Sequence, residues 1–135
     1  MRILIVDDDE IVRSEFQKLL EGEPGLEIIG EASNGQEAIK AAQKFLPDVI
    51  LMDVAMPVMN GIEATRQIVD ECLGIKIIAV SMHSSKGYVK GMLSAGASGY
   101  ILKDQVSAAL TPAIRSVASG QVYLSGHLAE WLDLK

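Results

Sequence analysis

The chain of 135 residues holds one cysteine, which excludes an intrachain disulfide framework. It has no apolar run near the ~18 residues needed to span a bilayer. The first residues, Met1 to Val6, run straight into acid at Asp7 rather than to a small-residue cleavage site, so they do not read as a signal peptide. There is no basic excess: 12 Lys and Arg stand against 18 Asp and Glu, a formal net charge of −6. That excludes a broad basic nucleic-acid face and leaves room only for a local patch. No glycine-rich turn follows Val6, so neither a P-loop nor a dinucleotide fingerprint is present. The two histidines, His83 and His127, are isolated and read as surface or structural residues. Together these absences point to a soluble, cytoplasmic, reducing setting with no membrane partner.

What is present is enough apolar residue for one well-filled domain, 49% of the chain. A domain of this size buries roughly two-thirds of its unfolded surface. The charge is uneven: residues 1–66 carry 13 acids and 6 bases, whereas residues 67–135 carry 5 acids and 6 bases. Four acids are consecutive, Asp7, Asp8, Asp9 and Glu10, directly behind an apolar strand. A helix N-terminus favours acids, but a repelling cluster at the end of a buried strand asks for a counter-charge.

Short apolar runs alternate with amphipathic stretches. Ile3–Val6, Leu26–Ala32, Val49–Met52, Ile75–Val80 and Tyr100–Leu102 read as strands. Between them, Ile11, Phe16, Leu19 and Leu20 form one helical face, with Asp8 or Asp9 as N-cap. Asn34 and Glu37 have capping-box spacing before Ala38, Ile39, Ala41, Ala42 and Phe45. Ile62–Val69 reads as a third helix. A fourth is capped by Ser84 and weakened by Gly87 and Gly91, at about 1 kcal/mol each relative to alanine. A fifth runs from Val106 to Ala118, with Pro112 predicted to kink or open it. Five such β-then-α units predict an α/β, doubly wound, five-stranded parallel sheet with helices on both faces, a three-layer sandwich.

Ligands of such sheets bind beyond the carboxyl ends of the strands, where strand order reverses. Here those ends are Asp7 and Asp8, Asp53, Ser81 and Lys103. Each is ordinary alone: an acid often caps a helix, a serine often turns a chain, and a lysine usually faces solvent. Asp48 and Asp104 read in that ordinary way. Converging at one edge, however, three carboxylates need a cation. An all-oxygen donor set selects Mg²⁺ or Mn²⁺ over Zn²⁺. Such an ion keeps positions open for a phosphoryl oxygen, Lys103 and Ser81 can meet the others, and Asp53 can act as nucleophile.

These segments resemble the receiver domain of bacterial two-component response regulators, with its (βα)5, flavodoxin-like (CheY-like) fold. The motifs are Ile3 to Asp8, Leu51 to Pro57, Asn60-Gly61, Val80 to Met82 and Gly99 to Asp104. The wording of Gly61 to Thr65, Ser81 to His83, Gly96 to Tyr100 and Gly120 to Ser125 is similar to the NarL/FixJ (LuxR-type) subgroup. The resemblance implies that Asp53 is the phosphoacceptor. Asp8, Asp53 and the Ala55 carbonyl would bind Mg²⁺, with Asp7 acting through water. Lys103 would pair with the phosphoryl group, Ser81 would shift toward it, and Tyr100 would turn inward to signal through the fourth and fifth helices. Asp9 departs from the subgroup, which often has histidine there.

The resemblance further implies a sensor histidine kinase as phosphodonor and a homodimer on phosphorylation, through helices one and five or the helix-four to helix-five face. It implies DNA contact only through a C-terminal helix-turn-helix domain outside this sequence. Residues 1–120 are then the receiver domain, and 121–135 a linker start or short C-terminal helix over 127–134. The alternatives are a natural stand-alone receiver acting through protein contacts and a Mg-dependent aspartyl phosphatase. The latter needs a second acid shortly after the nucleophile, where Ala55 stands.

Overall fold

Strands form where the apolar runs are short and bounded by turn residues. They are β1 (Arg2–Val6), β2 (Glu27–Ala32), β3 (Val49–Met52), β4 (Lys76–Ser81) and β5 (Gly99–Leu102). Between and after them lie α1 (Glu10–Leu20), α2 (Gly35–Phe45), α3 (Gly61–Glu71), α4 (Lys86–Ala95) and α5 (Val106–Ala118). The computed structural model describes residues 1–71, 74–128 and 130. All strand pairs are parallel. β3 and β5 are buried at every residue, as strands covered on both faces must be.

Alternation along the strands divides the core in two. Leu4, Val6, Ile50, Met52, Ile77 and Ala79 face α2, α3 and α4, packing on Ala38, Ala42, Ala64, Ile68, Val89 and Met92. Ile3, Ile5, Val49, Leu51, Ile78 and Val80 face α1 and α5, packing on Phe16, Leu20, Leu110, Ile114 and Val117. The predicted three layers are present.

The described residues form six strands, not five. β6 (Tyr123–Leu124) lies outside β5, giving the order β2-β1-β3-β4-β5-β6. After α5 the chain reverses at Gly120, whose φ of 92° favours glycine. It then satisfies the open edge of β5: Tyr123 N–H donates to Ser98 O and Ser125 N–H to Tyr100 O, both at 3.0 Å. The Ser125 hydroxyl, buried, accepts from Leu102 N–H at 3.0 Å. Two residues carry no readable period-2 signal, so the sequence suggests only a linker there. The helix expected over 127–134 falls mostly outside the described residues, with Gly126–Leu128 in a single 3₁₀ turn.

Helix starts differ in quality. Asp9 caps α1, its side chain accepting from Ile11 N–H at 2.9 Å. Asn34 caps α2 by accepting from Glu37 N–H at 2.9 Å, and the Glu37 carboxylate returns to the Ser33 N–H and hydroxyl at 3.0 Å each. The N-cap of α4 is Ser85 rather than Ser84, and that residue makes no side-chain cap bond. Ile11, expected on the packed face of α1, is 70% exposed. α5 runs continuously through Pro112. Pro112 and Ala108 are both exposed, so water can meet the carbonyl that loses its helical donor.

Candidate functional site

The strand order reverses between β1 and β3, and the crevice for a ligand opens there. Asp7 follows β1, its N–H donating to Ala32 O at the end of β2 (3.0 Å). Asp53 follows β3, its N–H donating to Val6 O (2.9 Å). Ser81 ends β4, and Lys103 follows β5. At Gly61 a Cβ would lie 2.0 Å from Asp53 O, so only glycine lets α3 begin against the backbone of Asp53.

The residues predicted for the site converge. Asp7, Asp8, Asp53, Ala55, Ser81 and Lys103 all line one cavity of about 250 Å³. The Lys103 ammonium sits 2.8 Å from Asp7 Oδ2 and 3.5 Å from Asp53 Oδ1. Asp7 Oδ1 accepts from Asp9 N–H and Asp53 Oδ1 from Val54 N–H, both at 2.9 Å. Asp7 and Asp53 are buried, whereas Asp8 is exposed at the mouth. One carboxylate oxygen from each of the three lies within 4.8 Å of the others. Asp48 lies at the far end of β1, accepting from Arg2 N–H at 2.7 Å, so it is a flanking acid as expected.

Three carboxylates face one ammonium. Burial is the main reason that the Asp53 pKa is raised to about 7; the charges of Asp7 and Asp8 add to it and Lys103 offsets part. For Lys103, burial opposes the charge, but the Asp7 hydrogen bond and the charges of Asp53 and Asp7 outweigh it, and its pKa rises. The ammonium is therefore retained, and it offsets only one of the three carboxylate charges. An all-oxygen cluster with residual negative charge fits a hard divalent cation.

The other half of the site holds Ser81 and Tyr100. The Ser81 hydroxyl accepts from His83 N–H at 3.0 Å. Tyr100 is fully buried and stands inward, its hydroxyl donating to His83 O at 2.6 Å, and burial raises its pKa. Sequence reasoning missed His83, whose backbone serves both residues and whose ring stacks on Tyr88 with centroids 4.3 Å apart. No sequence signal marks a backbone acceptor. It missed Arg13 as well, whose Nη1 donates to Asp7 O at 2.6 Å. The signal was available: Arg13 stands one helical turn after the Asp9 cap, above the acidic loop.

A doubly wound parallel sheet with this acidic pocket at its switch point is the architecture of a flavodoxin-like receiver domain. Residues 3–115 match the response regulator receiver domain family, and the chain belongs to that family as the receiver domain of a two-component response regulator. It is 40% identical over 135 residues to the response regulator GacA of Pseudomonas viridiflava, covering 100% of this chain and 63% of that protein. It is 38% identical over 134 residues to the response regulator UvrY of Escherichia coli K12, covering 99% and 62%. The crystal structure of a LuxR-family two-component response regulator from Aurantimonas sp. SI85-9A1 superposes with a TM-score of 0.91 at 35% identity, covering 96% of this chain and 92% of that one. The chain thus spans somewhat under two-thirds of the curated relatives' length. Among the described residues, no helix is long and apolar enough to cross a membrane.

Proposed function

We propose that Asp53 accepts a phosphoryl group from the phosphohistidine of a sensor histidine kinase. The observation that carries this reading is the buried Asp53 carboxylate, with the Lys103 ammonium 3.5 Å away and two further carboxylates within ligand-sharing distance. Asp53 Oδ1 is engaged by Val54 N–H and Lys103, so Oδ2 is the oxygen that attacks phosphorus. The Asp53 O–P bond forms as the histidine N–P bond breaks, and the partner imidazole leaves with the bonding pair. Asp8, Asp53 and the Ala55 carbonyl would hold Mg²⁺ (or Mn²⁺), with Asp7 acting through water. The ion supplies charge neutralisation for the phosphoryl oxygens and keeps Asp53 ionised. Lys103 neutralises a phosphoryl oxygen, and the Ser81 hydroxyl turns from His83 N–H to donate to another.

Release of His83 N–H by Ser81 loosens the same backbone that holds the Tyr100 hydroxyl. The signal then leaves through α4 and the face of β5 and α5, or through pairing of two receivers there or at α1 and α5. In the whole protein we place this receiver ahead of a helix-turn-helix domain that regulates transcription by binding DNA, with the chain beyond β6 leading toward it. The protein's place is the cytoplasm. Ala55 stands where a phosphatase would need an acid, so turnover is confined to slow loss of the phosphoryl group.

Incubation with acetyl phosphate and Mg²⁺, followed by intact-mass measurement, tests the reading. One added phosphoryl group is expected, absent in Asp53→Asn and absent with chelator. Unchanged mass in the parent protein contradicts it.

A further inference from the structure

The Asp7 carbonyl belongs to the peptide that joins Asp7 to Asp8. That peptide is planar and rigid, so whatever holds its oxygen also sets the direction in which Asp8 leaves β1. Arg13 holds it, with Nη1 at 2.6 Å. Arg13 is in turn held: its Nε donates to Glu31 Oε1 at 2.9 Å, and Gln17 Nε2 donates to the other Glu31 oxygen at 2.7 Å. Glu31 lies in β2, one residue before Ala32, whose carbonyl accepts from Asp7 N–H. The arginine side chain is only 16% exposed, against 53% for Arg66 and 49% for Arg115 in the other arginine–glutamate pairs. This pair is the enclosed one, and its guanidinium spans two different elements.

We propose that Arg13 is a positioning residue for the divalent cation: it locks the Asp7–Asp8 peptide so that both carboxylates face Asp53, with Glu31 and Gln17 as its support. This rests on the cation reading of the pocket given above. The physical content is a sign. A positive charge beside a cation site weakens binding by repulsion, so its removal would tighten the site if Arg13 acted only as a nearby charge. A positioning role predicts the opposite. Lysine keeps the charge but is a point donor, unable to reproduce the planar fork that reaches Glu31 and Asp7 O together.

Binding of Mn²⁺ to the full chain, followed by electron paramagnetic resonance of the free ion, separates these cases, with Mg²⁺ read by competition. Arg13→Gln and Arg13→Lys are each expected to weaken Mn²⁺ binding about 10-fold, the usual scale for outer partners of a metal site. Glu31→Gln should weaken it less, because Arg13 keeps its bond to Asp7. A dissociation constant for Arg13→Gln within twofold of the parent, or tighter, overturns the proposal. Should Arg13→Gln fail to fold, Arg13→Lys decides by the same criterion, and Glu31→Gln tests the support. Absence of Mn²⁺ binding in the parent, or indifference to Asp8→Asn, overturns the cation reading itself. Retained binding in the Arg13 variants alone overturns only the role of Arg13.

Discussion

On the β1–β3 side of the pocket, Asp7 is bonded through its N–H, its carbonyl and both carboxylate oxygens, to partners from β2, α1, its own loop and Lys103. The helix leaving that side, α1, carries a side-chain cap. On the β4–β5 side, residues 82–88 are all exposed, and Met82 reaches 80%. The helix leaving that side, α4, has no side-chain cap bond and contains Gly87 and Gly91. The Ser81 and Tyr100 hydroxyls both bond to the backbone of one residue, His83. The same pocket is thus tied down where the proposed cation ligands lie. It is lightly held where phosphorylation of Asp53, as proposed above, is converted into movement. Local stability in proteins is distributed in this way, with moving elements drawn from the weakly held end.

The largest effect that sharpens this contrast concerns charge on the fixed side. Without a cation, Asp53 has a folded-state pKa of about 7, well above that of an unfolded aspartate. The folded state therefore binds the proton more tightly, and this group's contribution to stability falls as pH rises from about 4 to about 7. Below that window the carboxyl is protonated in both states and contributes no difference. Above it, the cost is fully present. Asp53→Asn should then stabilise the cation-free protein at pH 8 by on the order of 2 kcal/mol, after discounting for solvent at the mouth, and leave stability near pH 4 unchanged. Urea unfolding at the two pH values measures it. Added Mg²⁺ should shrink the pH 8 difference, because it stabilises only the parent carboxylate.

Smaller effects probe the helices on the two sides. Asn34→Ala removes a working cap and should cost about 1 kcal/mol. Gly87→Ala places a methyl where nothing lies within 4 Å and should gain up to about 1 kcal/mol by helix propensity alone. Thermal unfolding checks both. Gly91 is different, since a Cβ there would come within 2.9 Å of Ile62 Cδ1 on α3. Equal responses at positions 87 and 91 would mean that the close packing of α3 on α4 carries no weight.

The strand-end rule made the pocket legible from sequence. Val6, Met52, Val80 and Leu102 end apolar runs clearly enough that Asp7, Asp53, Ser81 and Lys103 could be placed beside one another from the strand ends alone. The apolar periodicity likewise marked five helices and the sheet. What stayed hidden had no side-chain pattern to show. β6 is two residues long and forms because the edge of β5 offers unpaired backbone groups. The role of His83 is carried by its N–H and C=O, which any residue possesses. Ser84 and Ser85 are chemically identical candidates, and only the backbone angles decide between them. Ile11 satisfies the helical spacing but sits at the first turn of α1, beyond the reach of the sheet.

Hydrogen exchange along the chain tests the contrast between the two sides most directly, comparing Mg²⁺ alone with Mg²⁺ plus beryllofluoride as a phosphoryl mimic. The account predicts that in Mg²⁺ alone the amides of 82–95 exchange faster than those of 7–20. Adding the mimic should change protection chiefly across 81–105 and leave 7–20 nearly unaltered. Equal protection on the two sides before loading, or a response concentrated in 7–20 with 82–95 unchanged, would contradict it.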